Sequence, residues 1–151
     1  MIGHGVPGIE IRQEHDFATT CAAMFAALTL QLDAWWPQDA RLLGPESRLS
    51  LDAELGAPLI ENGTDGAAVV WGVVDTIQPD RRLYLNGWFG VQGLVAGRVH
   101  YDIAAIGNGC RLTVQHLAIG PVPEDVNTRY RAQWRRILGT ALRDHLDEMS
   151  V

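Results

Sequence analysis

The sequence predicts an α+β fold in which one curved antiparallel sheet of about six or seven strands wraps around a long C-terminal helix, with two short helices after the first strand. Three observations predict it. From Leu42 to Ile119 the chain is punctuated at short intervals by Gly, Pro and Asn, and the runs between are rich in Val, Leu, Ile, Trp and Tyr. From Gly120 to Met149 the pattern becomes helical: Val126, Tyr130, Trp134, Ile137, Leu138, Ala141, Leu142 and Met149 recur on one face, with Arg131, Arg135, Arg143, Asp144 and Asp147 mostly opposite. Hairpin-type turns link the sheet-forming runs, which makes consecutive strands antiparallel.

The elements follow in order. Ile9, Ile11 and Gln13 alternate with Glu10 and Arg12, so a first strand with one wet face runs to about His15. Asp16 is placed to cap a helix from Ala18 to Leu28, packed through Ala22, Phe25, Ala26 and Leu28. A second short helix carries Leu32, Trp35 and Trp36 and stops at Pro37, because proline disfavours helical geometry in the residue before it. Strands are predicted at Arg48 to Glu54, Pro58 to Glu61, Ala67 to Ile77, Arg82 to Trp88, Val95 to Ala105 and Arg111 to Ile119. Asn62-Gly63 to Gly66 and Gly107-Asn108-Gly109 supply residues that accept the positive φ of tight turns, and Pro79-Asp80 marks another short connection. Pro121 and Pro123 end the sheet. Pro123 suits the first helical position, with Glu124 and Asp125 at the positive end of the helix dipole.

Composition bounds the function classes. At 151 residues without a linker or repeat, the chain reads as a single domain that buries about two-thirds of its unfolded surface without staples. The net charge of -6 and 12 scattered arginines, with no lysine, make no basic stripe, so nucleic-acid binding is not expected. Cys21 and Cys110 lack metal-ligand or CxxC spacing and read as reduced core thiols, with a disulfide between them left open. No metal or other cofactor is implied. The segment Met1 to Glu10 lacks signal-peptide order and no apolar run approaches about 18 residues, so a cytoplasmic protein with no membrane partner is expected.

Phe25-Ala26-Ala27-Leu28-Thr29 is followed by Trp35-Trp36-Pro37, by Asp65-Gly66 opening a strand, by Gly72-Val73-Val74, and by Pro79 through Arg82-Leu83. Gly109-Cys110-Arg111-Leu112-Thr113-Val114-Gln115-His116 and then Trp134 with Ile137-Leu138 complete the order. This series resembles the Aha-type activator homologues of the heat-shock chaperone ATPase over about Ile9 to Leu146. That family lies in the START and birch-pollen-allergen-like (SRPBCC) superfamily, so the resemblance implies the helix-grip fold. It also implies a chaperone as one possible partner. The chain departs from the family pattern at Gly56-Ala57-Pro58, where paired glycines are usual, and at Cys110, where a threonine is usual.

Facing assigns the candidate site. In the last strand Leu112, Val114 and His116 share one side, which makes His116 the titratable group expected to point toward the helix. An imidazole there suits a hydrogen bond to a ligand or a proton transfer, or it is a core histidine satisfied by a carbonyl or a tyrosine hydroxyl. The candidate lining of a hydrophobic ligand pocket is Tyr101, Leu112, Val114, His116, Tyr130 and Trp134, with Trp71 and Tyr84 as further aromatic members. Trp71 and Asp75 fall on the same side of their strand by simple alternation, which leaves that strand's facing ambiguous. In the strand before the last, Arg98, His100 and Asp102 lie opposite the apolar row. A His-Asp pair can orient a general base, but this one has no nucleophile in view and suits a solvated face.

Three functions follow as expectations: a binder of a lipid- or polyketide-like molecule between sheet and helix, a chaperone-interacting protein, or a cyclase- or hydrolase-type enzyme using His116. The enzyme needs a second polar group, such as Asp75 or Tyr84, within reach of His116. Gly90 to Gly97 with Phe89, Val91 and Leu94 joins two strands, so it is no phosphate cradle; it suits a mobile loop at a pocket mouth or a homodimer contact that covers Trp88 and Phe89. Gly139 interrupts the final helix on its polar side, so a bend or a close contact is expected there.

Overall fold

The computed structural model describes residues 8–91 and 94–149. In order they form β1 (Gly8–Phe17), α1 (Cys21–Leu28), α2 (Leu32–Trp35), a 3-10 turn (Gln38–Ala40), β2 (Arg48–Ser50), β3 (Pro58–Asn62), β4 (Ala68–Gln78), β5 (Arg82–Asn86), β6 (Ala96–Ile106) and β7 (Gly109–Ile119). The C-terminal part contains α3 (Val126–Arg136), a π-helical segment (Ile137–Leu142) and α4 (Arg143–Met149). The strands make one antiparallel sheet in the order β1-β7-β6-β5-β4-β3-β2. This is the predicted helix-grip arrangement: a seven-stranded sheet, two short helices after the first strand, and a long helix at the end.

Several boundaries differ for identifiable reasons. β1 stays paired with β7 as far as Phe17 opposite Cys110, so Asp16 belongs to the strand and its carboxylate takes Arg111 at 2.8 Å. The cap of α1 is instead Thr20, whose hydroxyl accepts from the Ala23 amide at 3.0 Å. β2 ends at Ser50 rather than Glu54, and β5 ends at Asn86 rather than Trp88. Pro123 precedes the final helix instead of opening it. Its carbonyl accepts from the Val126 amide, and Asp125 ion-pairs with Arg129 one turn on at 3.0 Å.

Two irregularities in β4 resolve the facing that simple alternation leaves open. The register with β3 shifts at Trp71, and the register with β5 shifts at Asp75. Trp71 and Val74 therefore both turn inward and are buried, while Asp75 faces outward to Arg98 at 2.7 Å. At the Pro79-Asp80 connection Asp80 takes a positive φ of 67°, and Gly66 and Gly107 do so at the two hairpins expected to need them.

The inner face of the sheet packs on the helices through Leu83, Leu85, Val99, Tyr101, Leu112 and Val114, all essentially buried. Asn127 fastens the start of α3 to the edge strand: its side chain donates to the Gly8 carbonyl and accepts from the Glu10 amide, both at 2.9 Å. Further along, Gln13 donates to the Arg131 carbonyl at 2.8 Å. Arg143 lies over the Phe17 ring at 4.4 Å and donates to the Asp16 carbonyl, which ties α4 to the end of β1. Gly139 falls inside the π-helical segment and faces His15, with ordinary contact space for a side chain's first carbon.

Cys21 and Cys110 are both free thiols, and burial pushes the Cys110 thiol up to about 11. No helix among the described residues is long and apolar enough to cross a membrane.

Candidate functional site

His116 reaches the space under the helix because it follows Leu112 and Val114 on the inner face of β7. There it meets Trp134 from α3, whose indole N–H donates to His116 Nδ1 at 3.0 Å with the rings perpendicular. Its Nδ1 is thus engaged by an indole rather than by a carbonyl or tyrosine hydroxyl, while Nε2 is buried with no partner among the described residues. Burial lowers its pKa to about 4, so the imidazole is neutral at physiological pH.

Around this pair stand Trp36, Trp71, Phe89 and Tyr130. Trp36 contacts Trp71, Phe89 and Trp134 edge-on at centroid separations of 5.8, 6.3 and 6.2 Å, and Phe89 lies stacked on Trp134 at 5.9 Å. Edge-to-face and offset geometry of this kind adds about 0.5–1.5 kcal/mol per pair beyond area burial. Together with Gln133 and Ile137 these residues enclose a niche of about 10 Å³. That is room for a single oxygen-sized group.

Beside the niche lies an open cleft of about 200 Å³, bounded by Asp39 to Leu42 on one side and by Tyr130, Gln133 and Arg136 of α3 on the other. Trp71, Phe89, Tyr130 and Gln133 line both spaces and so form the partition between them. Arg136 and Asp39 pair across the rim at 2.8 Å, and Tyr130 donates to the Gly90 carbonyl at 3.3 Å. Phe89 itself holds a positive φ of 48°, an uncommon conformation for a bulky residue, and Gly90 follows at 84°. A side chain at Gly90 would start 3.1 Å from the Trp71 ring, so the glycine lets the loop close against the indole.

The partition is braced by a buried polar network. Glu61 shares the inner face of β3 with Leu59 and is fully enclosed. Its carboxylate accepts from the Leu42 and Leu43 amides, the Ser47 hydroxyl and the Trp71 indole at 2.7–3.0 Å. Burial pushes its pKa up, but these four donors outweigh that and hold it below the ordinary carboxylate value. Arg41 next to it bonds Asp33 and the Ser47 and Trp36 carbonyls, which positions Trp36 and the Asp39 to Leu42 wall.

Of the predicted lining, the structure brings His116, Tyr130, Trp134 and Trp71 together at the niche. Tyr101, Leu112 and Val114 are packed core, with Tyr101 edge-on to Trp134 at 6.1 Å. Tyr84 lies on the opposite face of the sheet, because Leu83 and Leu85 on either side of it take the inner positions. There it stacks on His100 at 4.0 Å and donates to Asp102 at 2.7 Å. The Asp102 carboxylate is thus engaged by a tyrosine, and neither Tyr84 nor Asp75 reaches His116. Trp36 and Phe89 line the niche although facing did not assign them to it; Phe89 is buried rather than exposed, although it comes from a loop. Residues 92 and 93 of that glycine-rich segment lie outside the described residues. Among the described residues no group of three or more His, Cys, Asp or Glu side chains is arranged to hold a metal ion.

No family model and no curated protein sequence matches the chain. Solved structures do match over nearly all of it. DynU16, from the dynemicin biosynthetic locus, has 20% identity and a TM-score of 0.68 over 93% of this chain and 48% of its own. The Mll3558 protein of Rhizobium loti has 19% identity and a TM-score of 0.66, covering 92% of this chain and 97% of that one. Ara h 8.0201 has 15% identity and a TM-score of 0.64, covering 94% of this chain and 99% of that one. The chain spans about half the length of DynU16 and nearly all of the other two. These likenesses support the helix-grip fold.

Proposed function

We propose that the protein binds a compact hydrophobic or amphipathic small molecule, lipid- or polyketide-like in chemistry, in the cleft beside α3. The observation that carries this is the cleft itself: about 200 Å³ with an aromatic floor from Trp71 and Phe89 and polar groups from Gln133, Arg136 and Asp39 at its rim. The space directly beneath the helix is filled by rings, so the ligand body sits at its mouth rather than deep between sheet and helix. The whole chain acts as one helix-grip domain in this reading.

A thermal-shift screen across lipids and aromatic polyketides tests it. A ligand at a hundred times its Kd stabilises the folded state by about 2.7 kcal/mol, which raises Tm by several degrees. Gln133→Trp, which fills the cleft from a half-buried helix position, is expected to abolish the shift and leave the unliganded Tm within a degree or two. A panel without any shift counts against the reading. Native mass spectrometry of freshly purified protein reads a retained ligand and a homodimer in one measurement.

The sequence resemblance supports a second reading, a cytoplasmic partner that stimulates the heat-shock chaperone ATPase. Co-purification with the chaperone and a rise in its ATPase rate would establish it, and an unchanged rate would exclude it. The cyclase- or hydrolase-type reading gains no support, since Asp75 and Tyr84 are engaged by Arg98 and Asp102 away from His116, and burial holds the His116 pKa at about 4, below the range suited to acid-base work near neutrality.

A further inference from the structure

Two buried N–H donors belong to side chains that line the same niche. Trp36 Nε1 and His116 Nε2 are shielded from solvent, both side chains line the niche, and among the described residues no group accepts from either. The tautomer is fixed by the neighbour. Because Trp134 donates to His116 Nδ1, that nitrogen presents its lone pair, and the proton of the neutral ring resides on Nε2. An indole nitrogen only donates. A buried donor without an acceptor is unfavourable, and here there are two, on side chains that line one space of about 10 Å³.

We propose that this niche seats the carbonyl oxygen of a ligand, held by His116 Nε2–H and Trp36 Nε1–H, and that the ligand is a neutral, planar, conjugated ketone whose ring lies in the outer cleft. The inference rests on the cleft being the binding site. An acceptor is required because both protein groups donate, and a carbonyl oxygen has two lone pairs to receive them. The oxygen is uncharged because no cation lines the niche: Arg136 stands outside, paired with Asp39, and His116 is neutral. The ring is planar because the floor of the outer cleft is the aromatic pair Trp71 and Phe89, set edge to face at 5.5 Å. Phe89 is the part of the partition that turns aside to admit the oxygen. Its positive φ is strain of the kind found at ligand clamps.

The probes are 2-acetylnaphthalene and 2-ethylnaphthalene, equal in shape and different in the carbonyl. Titration calorimetry on the full chain is expected to show the ketone binding at least about tenfold tighter, the size of one or two good hydrogen bonds. Proton-nitrogen NMR of the wild-type protein should move the Trp36 indole and His116 ring signals downfield with the ketone and not with the hydrocarbon. In Trp36→Phe the ketone preference should fall several-fold while hydrocarbon affinity holds; the wild-type spectra decide the matter if that variant folds poorly. Equal affinities with both signals unmoved would mean that the niche holds only a structural water, overturning the carbonyl seat and leaving the cleft reading intact. A tighter complex with 2-naphthoate would overturn the neutral-carbonyl assignment. If neither naphthalene binds while another molecule of the screen does, the ketone proposal fails alone; if nothing binds, both fail.

Discussion

Glu61 and His116 are both wholly buried polar side chains on inner strand faces, yet their surroundings are opposite. Around Glu61 one carboxylate is matched by four donors from the Leu42 to Ser47 segment and Trp71. Around His116 one donor from Trp134 is satisfied, while two other donors, on His116 itself and Trp36, have no acceptor among the described residues and sit on side chains that line a space the size of an oxygen. The first cluster is complete without help and serves to hold the wall. The second leaves two donors without an acceptor among the described residues, the condition that the proposed carbonyl seat would meet. Trp71 belongs to both, since its N–H is engaged by Glu61 while its ring lines niche and cleft.

The contrast can be broken at its strongest point first. Glu61→Ala strands three neutral donors and the Trp71 indole, and should cost about 3–4 kcal/mol in urea unfolding; a loss under about 1 kcal/mol would mean that the network is not a brace. The next effect separates the clusters by pH. His116 has a folded pKa of about 4 against an ordinary 6.5, so the unfolded chain binds the extra proton between those values. Stability from the neutral imidazole is therefore full above pH 6.5 and falls as pH drops toward 4, by roughly 3 kcal/mol. Glu61, depressed below its ordinary 4.5, weakens the fold only below that pH. Unfolding measured from pH 7 to pH 4 should show a slope in the wild type that His116→Phe largely removes, and an unaltered slope would refute the assignment.

A smaller effect probes the one satisfied bond of the niche. Trp134→Phe keeps a ring against Phe89 but removes the donor to Nδ1, so a loss of about 1–2 kcal/mol is expected. Nitrogen NMR should then find His116 distributed over both tautomers rather than held with its proton on Nε2. The smallest effect serves as a reference away from both clusters. Gly139→Ala puts a methyl group 3.6 Å from His15, ordinary contact, in a helical position, and should stabilise by about 0.5–1 kcal/mol. A destabilisation would mean that the wide turn itself requires glycine.

Much of this layout is legible in the sequence because strands declare their faces. Leu112, Val114 and His116 line up by alternation alone, and so do Leu59 and Glu61, although a carboxylate on an inner face draws attention only once its four donors are seen. Tyr84 shows the reverse error: aromatic chemistry suggests a pocket, while its neighbours Leu83 and Leu85 already place it outside. Trp71 and Asp75 are ambiguous because each sits at a register shift, and a shift of one residue inverts the face. Phe89 is illegible for a deeper reason. A loop residue has no period, and its burial depends on contacts with Trp36, Trp71 and Trp134, which are far away in the sequence.

Val126, Tyr130, Trp134, Leu138, Leu142 and Leu146 are spaced by four residues without exception. On a regular α-helix each step of four overshoots a full turn by about 40°, so five steps would carry Leu146 roughly half-way around from Val126. The π-helical segment at Ile137–Leu142 takes an extra residue into its turn and unwinds part of that drift. It works as a phase adjuster between two gears. The niche-forming half, with Trp134, and the half packed toward α1, with Leu142 and Leu146, are each set to their own partner. A single-residue deletion within 137–142 would leave both halves helical but rotate one against the other, so the loss would fall on their alignment.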